Sequence, residues 1–74
     1  MRITVTEGWV GRKLADLELA SGARAAWLVR FGEAQLPTAT TVLQDGDQLV
    51  VAVTDEITGR VHEVVQRGPQ GGQD

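Results

Sequence analysis

The stretch 43–53, reading LQDGDQLVVAV, constrains this chain more than any other segment. It halts one element, turns sharply, and launches a strand that is apolar on both faces. Asp45 or Asp47 can turn the chain by bonding nearby backbone N–H groups, and Gly46 accepts a positive φ without a Cβ clash. Strand alternation then places Leu49, Val51 and Val53 on one face and Val50 and Ala52 on the other. A strand with two apolar faces belongs in the middle of a sheet or at an interface.

The chain has 74 residues, which is one domain at most, and a chain of this size buries only about 60% of the surface that it exposes when unfolded. Domains this small lean on disulfides, a metal or a partner. There is no cysteine and His62 is the only histidine, so neither a disulfide framework nor a Cys/His zinc site is available. That leaves a partner. The formal charge is −3, and the basic residues are scattered singly apart from Arg12-Lys13, so nucleic acid is not an expected partner. No apolar run approaches the roughly 18 residues of a membrane span, and the N-terminus has no signal-peptide pattern. A cytoplasmic location is the simplest expectation.

Ile3 and Val5 alternate with threonines, which predicts a strand over 2–7, ended by Gly8. Val10, Leu14 and Leu17 follow at i, i+4 and i+7, predicting a short helix over 11–17. Ser21-Gly22 marks a loop. A second strand is expected over 25–31, with Ala25, Trp27, Val29 and Phe31 on one face and Ala26, Leu28 and Arg30 on the other. A Gly32-Glu33 turn into 34–36 would make a hairpin, stopped by Pro37 because proline has no N–H. Residues 38–41 read as a loop, and Val42 and Leu43 should turn inward. After the strand 48–53, Thr54 or Asp55 can cap a closing helix whose stripe is Ile57, Val61, Val64 and Val65, with Gly68-Pro69 at its end. Residues 1–67 would then form the domain and 68–74 a disordered tail. The order strand, helix, hairpin, strand, helix predicts an α+β fold with a small, mostly antiparallel sheet and two short helices. One thin sheet with two helices should not cover both Trp9 and Trp27, so a second copy is expected to help.

No Ser-His-Asp or Cys-His set, phosphate-binding glycine loop or forced carboxylate pair is present, so the chain is not expected to be an enzyme. His62 falls off the apolar stripe and reads as a solvated helix-surface residue. Asp45 and Asp47 lack the further oxygen ligands of a calcium loop and read as turn chemistry. Arg30 has two readings. Its guanidinium could grip a phosphate or carboxylate, or its stem could pack while its head meets water or an acidic neighbour.

The segments GWVGRKLADL from Gly8, AWLVRFGE from Ala26, Leu36-Pro37, and VLQDGDQLVV from Val42, taken in order, resemble the TrkA C-terminal domain, also called RCK-C. The similarity covers about 4–66 and is greatest to the C-terminal end of Trk potassium-uptake regulatory subunits. It implies a cytosolic regulatory and dimerisation module of a potassium or other cation transport system, held at the inner face of the membrane by a transporter partner. Its implied partners are a second copy, a membrane-embedded transporter subunit, and a nucleotide-binding Rossmann-type domain on the same or another chain. Some family members also take a second ligand, such as cyclic di-AMP or another nucleotide, at the dimer interface. The positions here that match that site are Arg30, Leu28 and Pro37, with no cofactor implied otherwise. The alternative is a β-grasp sulfur-carrier-like or small interaction module, suggested by the DGD turn and by Gly71-Gly72. Gln73 and Asp74 follow that pair, whereas a carrier tail ends in glycine.

Overall fold

The computed structural model describes residues 1–69. It has strands β1 (Arg2–Thr4), β2 (Arg24–Arg30), β3 (Glu33–Gln35) and β4 (Gln48–Ala52), and helices α1 (Leu14–Ser21) and α2 (Asp55–Arg67). The strands form one sheet in the order β1-β4-β2-β3, with every pair antiparallel. The expected α+β architecture is therefore present, and β4 holds the interior place that its two apolar faces require.

Both helices pack on one face of this sheet. Leu14 and Leu17 from α1 and Val61 and Val65 from α2 share a buried core with Ile3, Leu28, Leu43, Leu49 and Val51. α2 presents the expected stripe, with Val61 and Val65 buried and Ile57 and Val64 half-buried. Its N-cap is Thr54, whose carbonyl accepts bonds from the Ile57 N–H and the Thr58 hydroxyl. Gly68 ends α2, and Gly68 and Pro69 lie half-buried beside Gly8, where an added Cβ would come within 3.2 Å of the Gly68 Cα. The rest of the expected tail, 70–74, lies outside the described residues.

The N-terminal elements differ from expectation because Trp9 dominates their packing. β1 stops at Thr4, and Glu7–Trp9 forms a 3₁₀ turn. This turn carries the Trp9 indole into the core, 2% exposed, where its N–H donates to the Val64 carbonyl at 3.1 Å. The Thr6 hydroxyl donates to the Val65 carbonyl, so two bonds tie this turn to α2. The first helix begins at Leu14 and not at Gly11. The Gly11 N–H bonds the Leu43 carbonyl, the Leu43 N–H bonds the Arg12 carbonyl, and the Leu14 N–H bonds the Thr41 carbonyl. Residues 11–13 are thus committed to pairing with 41–43, which leaves Val10 and Val42 exposed and Leu43 buried. Gly22, at φ 80°, closes α1 with a left-handed cap in which its N–H bonds the Glu18 carbonyl.

β2 also breaks simple alternation. Ala25 pairs with Val51 and Trp27 with Val50, so Ala26 is an extra residue that forms a bulge. The bulge shifts the phase of the strand. Ala25 therefore faces the helices with Leu28, while Trp27 and Val29 face away from them. The hairpin turn is Phe31-Gly32, one residue earlier than expected, since Arg30 pairs with Glu33. Both turn residues have positive φ, 53° and 78°, as a type I′ turn requires. Phe31 leaves the strand face altogether and is 92% exposed.

Candidate functional site

Of the three residues singled out in the sequence, Arg30 has the most developed surroundings. It stands at the end of β2 on the helix-facing side, beside the turn that precedes β4. Its Nε donates to Asp47 Oδ1 at 2.9 Å and its Nη2 to Asp47 Oδ2 at 2.8 Å, a two-pronged ion pair. The same Nη2 donates to the Val42 carbonyl at 3.0 Å. Asp47 is fully buried, and its Oδ2 also accepts from the Gln44 N–H at 2.9 Å. The Arg30 hydrogen bond holds the Asp47 carboxyl below the usual carboxylate range, with the Gln44 N–H assisting and burial opposing. The same bond raises Arg30 further above its already high value, against a smaller opposing effect of burial. Arg30 is thereby engaged with an acidic neighbour within its own chain.

The surface depression that Arg30 lines does not include Leu28 or Pro37. Leu28 shares the inner face of β2 with Arg30 but is 1% exposed, within the core. Pro37 is half-buried and lies past the end of β3, four residues beyond Glu33, which pairs with Arg30. Glu33 is exposed on the edge strand. His62 is exposed on α2, as its position on the helix implied. Asp45 is exposed in the turn, and Gly46 there takes φ 85°. Asp47 was legible as a turn residue, but its ion pair with Arg30 was not.

The face of the sheet turned away from the helices is a second candidate. β-pairing lays its side chains out in rows. Arg2, Val50 and Trp27 lie side by side across β1, β4 and β2, and Thr4, Gln48, Val29 and Ala34 form the next row. Ala52 and Arg24 make a third row on the other side of the first. Trp27 is 41% exposed, Val29 and Val50 are half-covered, and neither helix lies over them. Leu36, after β3, and Phe31 add exposed apolar surface around the hairpin. This surface is where the doubly apolar character of β4 remains uncompensated. Strict alternation marked Trp27 and Val29, and strand pairing was needed to place Arg2 and Arg24 beside them. Among the described residues, no group of three or more His, Cys, Asp or Glu side chains could hold a metal ion, and no helix is long and apolar enough to cross a membrane.

The TrkA-C domain family matches residues 1–66. The chain is 35% identical over 68 residues to the Trk system potassium uptake protein TrkA of Streptomyces coelicolor, a match that takes in 92% of this chain and 30% of that protein. This chain therefore spans less than a third of that relative. Among solved structures, the RCK_C domain dimer of S. agalactiae BusR in complex with c-di-AMP superimposes with a TM-score of 0.76. The sequences are 17% identical, and the match covers 89% of this chain and 93% of that one. A structure of an RCK domain with cda gives a TM-score of 0.67 at 23% identity, covering 89% and 91%. At these identities the structural likeness concerns the fold.

Proposed function

The chain belongs to the TrkA-C domain family, and from that premise we propose that it is a non-catalytic, cytosolic regulatory module of a potassium or other cation transport system. It works as a homodimer and senses a small ligand, such as cyclic di-AMP or another nucleotide, at the dimer interface. The observation that carries this reading is the open sheet face, with Trp27, Val29 and Val50 left uncovered by either helix. Apolar surface gathered on one side of so small a domain favours closure by a partner. A second copy provides an equally shaped and equally apolar face through a two-fold axis.

In this reading, ligand binding shifts the way in which two copies sit together, and a transporter subunit reads the shift. A Rossmann-type nucleotide-binding domain, on the same or another chain, would join the dimer to that subunit. A solved relative that is a dimer with c-di-AMP supports the ligand class. The β-grasp carrier alternative has less support. The 13 residues of α2 separate the last strand from Gly71-Gly72, where a carrier needs a flexible extension straight from its sheet.

Titration calorimetry with cyclic di-AMP, ATP and ADP on the intact chain tests the sensing role. Saturable heat with at least one nucleotide, at one ligand per two chains, is the expected result. Absence of heat with all three would contradict it.

A further inference from the structure

Phe31 holds the first central position of a type I′ turn, where asparagine or glycine is preferred and a bulky ring at φ 53° is strained. The ring gains nothing from its own chain, since it is 92% exposed. Strain kept where no local packing repays it points to a contact made outside the chain. The hairpin end around this ring is acidic. Glu33 follows the turn, Asp45 lines the same surface depression as Phe31, and neither carboxylate forms an ion pair among the described residues. Arg30 there is neutralised by Asp47, and Arg2 offsets one of the two free carboxylates.

A surface of the opposite kind lies on the helical side. Two adjoining depressions of about 390 and 400 Å³ share Trp9, Ala20 and Pro69 in their walls, a size that accepts a ring. Leu19, 86% exposed, borders one of them. Arg12 borders the same one and Arg60 the other, and both are exposed with no ion pair among the described residues. Glu63 and Arg67 neutralise each other at the rim, and Asp16 offsets one of the two free arginines. The groove thus carries a net positive charge where the hairpin end carries a net negative one. Phe31 borders neither depression in its own chain, so ring and groove can meet only between copies.

We infer that the Phe31 hairpin of one copy docks in the Trp9-walled groove of another, with Glu33 and Asp45 set toward Arg12 and Arg60. The two surfaces are different patches, so the contact is head-to-tail and can repeat from copy to copy. It lies apart from the open sheet face and goes beyond two-fold closure: a pair joined through the sheets still presents two hairpins and two grooves to other pairs. One ring and its charged surroundings cover far less than the roughly 1,200 Å² of a stable interface. The contact is therefore weak, with a Kd of about 0.1–1 mM, and takes effect where many copies are held close together.

Sedimentation velocity at chain concentrations from about 0.01 to about 1 mM spans that range. The native chain should form particles of more than two chains at the upper end, whereas Phe31→Asn should not grow beyond two. Asparagine relieves the strained turn, so this loss cannot come from a misfolded chain. Two charge reversals test the pairing itself. Arg12→Glu/Arg60→Glu and Glu33→Lys/Asp45→Lys each set like charges at the contact, and neither should grow beyond two chains alone. An equal mixture of the two should regain the growth, and should lose it again when both chains also carry Phe31→Asn. A native chain that stops at two, a Phe31→Asn chain that grows like the native one, or a mixture that fails to grow would overturn the inference.

Discussion

Asp47 and Arg30 show how far a single residue's role can be read from sequence. Gly46-Asp47 was recognisable as turn chemistry, and Asp47 does bond the Gln44 N–H. Its second task, neutralising an arginine 17 positions away, depends on β2 and β4 lying side by side, which no local pattern shows. Removing one partner strands a buried charge. Arg30→Met should therefore cost about 3–5 kcal/mol, while Arg30→Met combined with Asp47→Asn should cost clearly less than the sum of the two single changes. Urea unfolding of the four proteins measures this, and strict additivity would contradict it. Because the folded state holds the Asp47 carboxyl below its unfolded value, its contribution is fully present above the ordinary carboxylate range. That contribution is lost as pH falls through the lower folded value. The urea midpoint of the native chain should accordingly drop more steeply below pH ~4 than that of the double variant. Phe31 is the reverse case, a bulky side chain at φ 53° with almost no cover. Asn tolerates that conformation far better, so Phe31→Asn should stabilise the folded chain by about 1 kcal/mol, seen as a Tm higher by about 4–8 °C. An unchanged or lower Tm would show that Phe31 has a partner.

At the level of elements, regular patterns were legible and interruptions were not. α2 was clear because its stripe repeats over a long helix, and β4 because its two apolar faces demanded an interior position. α1 and β2 were each misplaced in part. Val10 has the right spacing to belong to α1, but Gly11, Arg12 and Leu14 give their backbone groups to 41–43, and such distant pairing leaves no local trace. In β2, the alternation read from Ala25 to Phe31 missed the extra residue at Ala26, so Ala25 was assigned to the wrong face. The bulge lets Ala25 and Leu28 both point at the helices although they are an odd number of residues apart. Deleting Ala26 should restore strict alternation and force part of β2 to show its apolar side to water. The deletion variant should lose cooperative thermal unfolding, while Ala26→Gly should keep it. A deletion variant that melts like the native chain would refute the role given to the bulge.

For the whole molecule, one layer of helices on one side of a four-stranded sheet leaves half the fold's packing capacity unused. Trp9 shows that the helical side is complete, with its ring buried and its N–H bonded. Trp27 shows that the other side is not. The expectation that a second copy would cover both tryptophans is thus narrowed to Trp27 and its neighbours Val29 and Val50. The fold is shared with an RCK_C domain solved as a dimer, and the chain spans 30% of the length of its TrkA relative. The surroundings of the candidate ligand residues were the least legible part, because the pattern that marked Arg30 gave no sign of its ion pair with Asp47. Light scattering during gel filtration, on the native chain and on Val50→Glu, tests the sheet-face dimer most directly. The native chain should have twice the 7.9 kDa chain mass, and the folded Val50→Glu chain should have 7.9 kDa itself. A native monomer, or a Val50→Glu chain that remains a dimer, would contradict closure through this face.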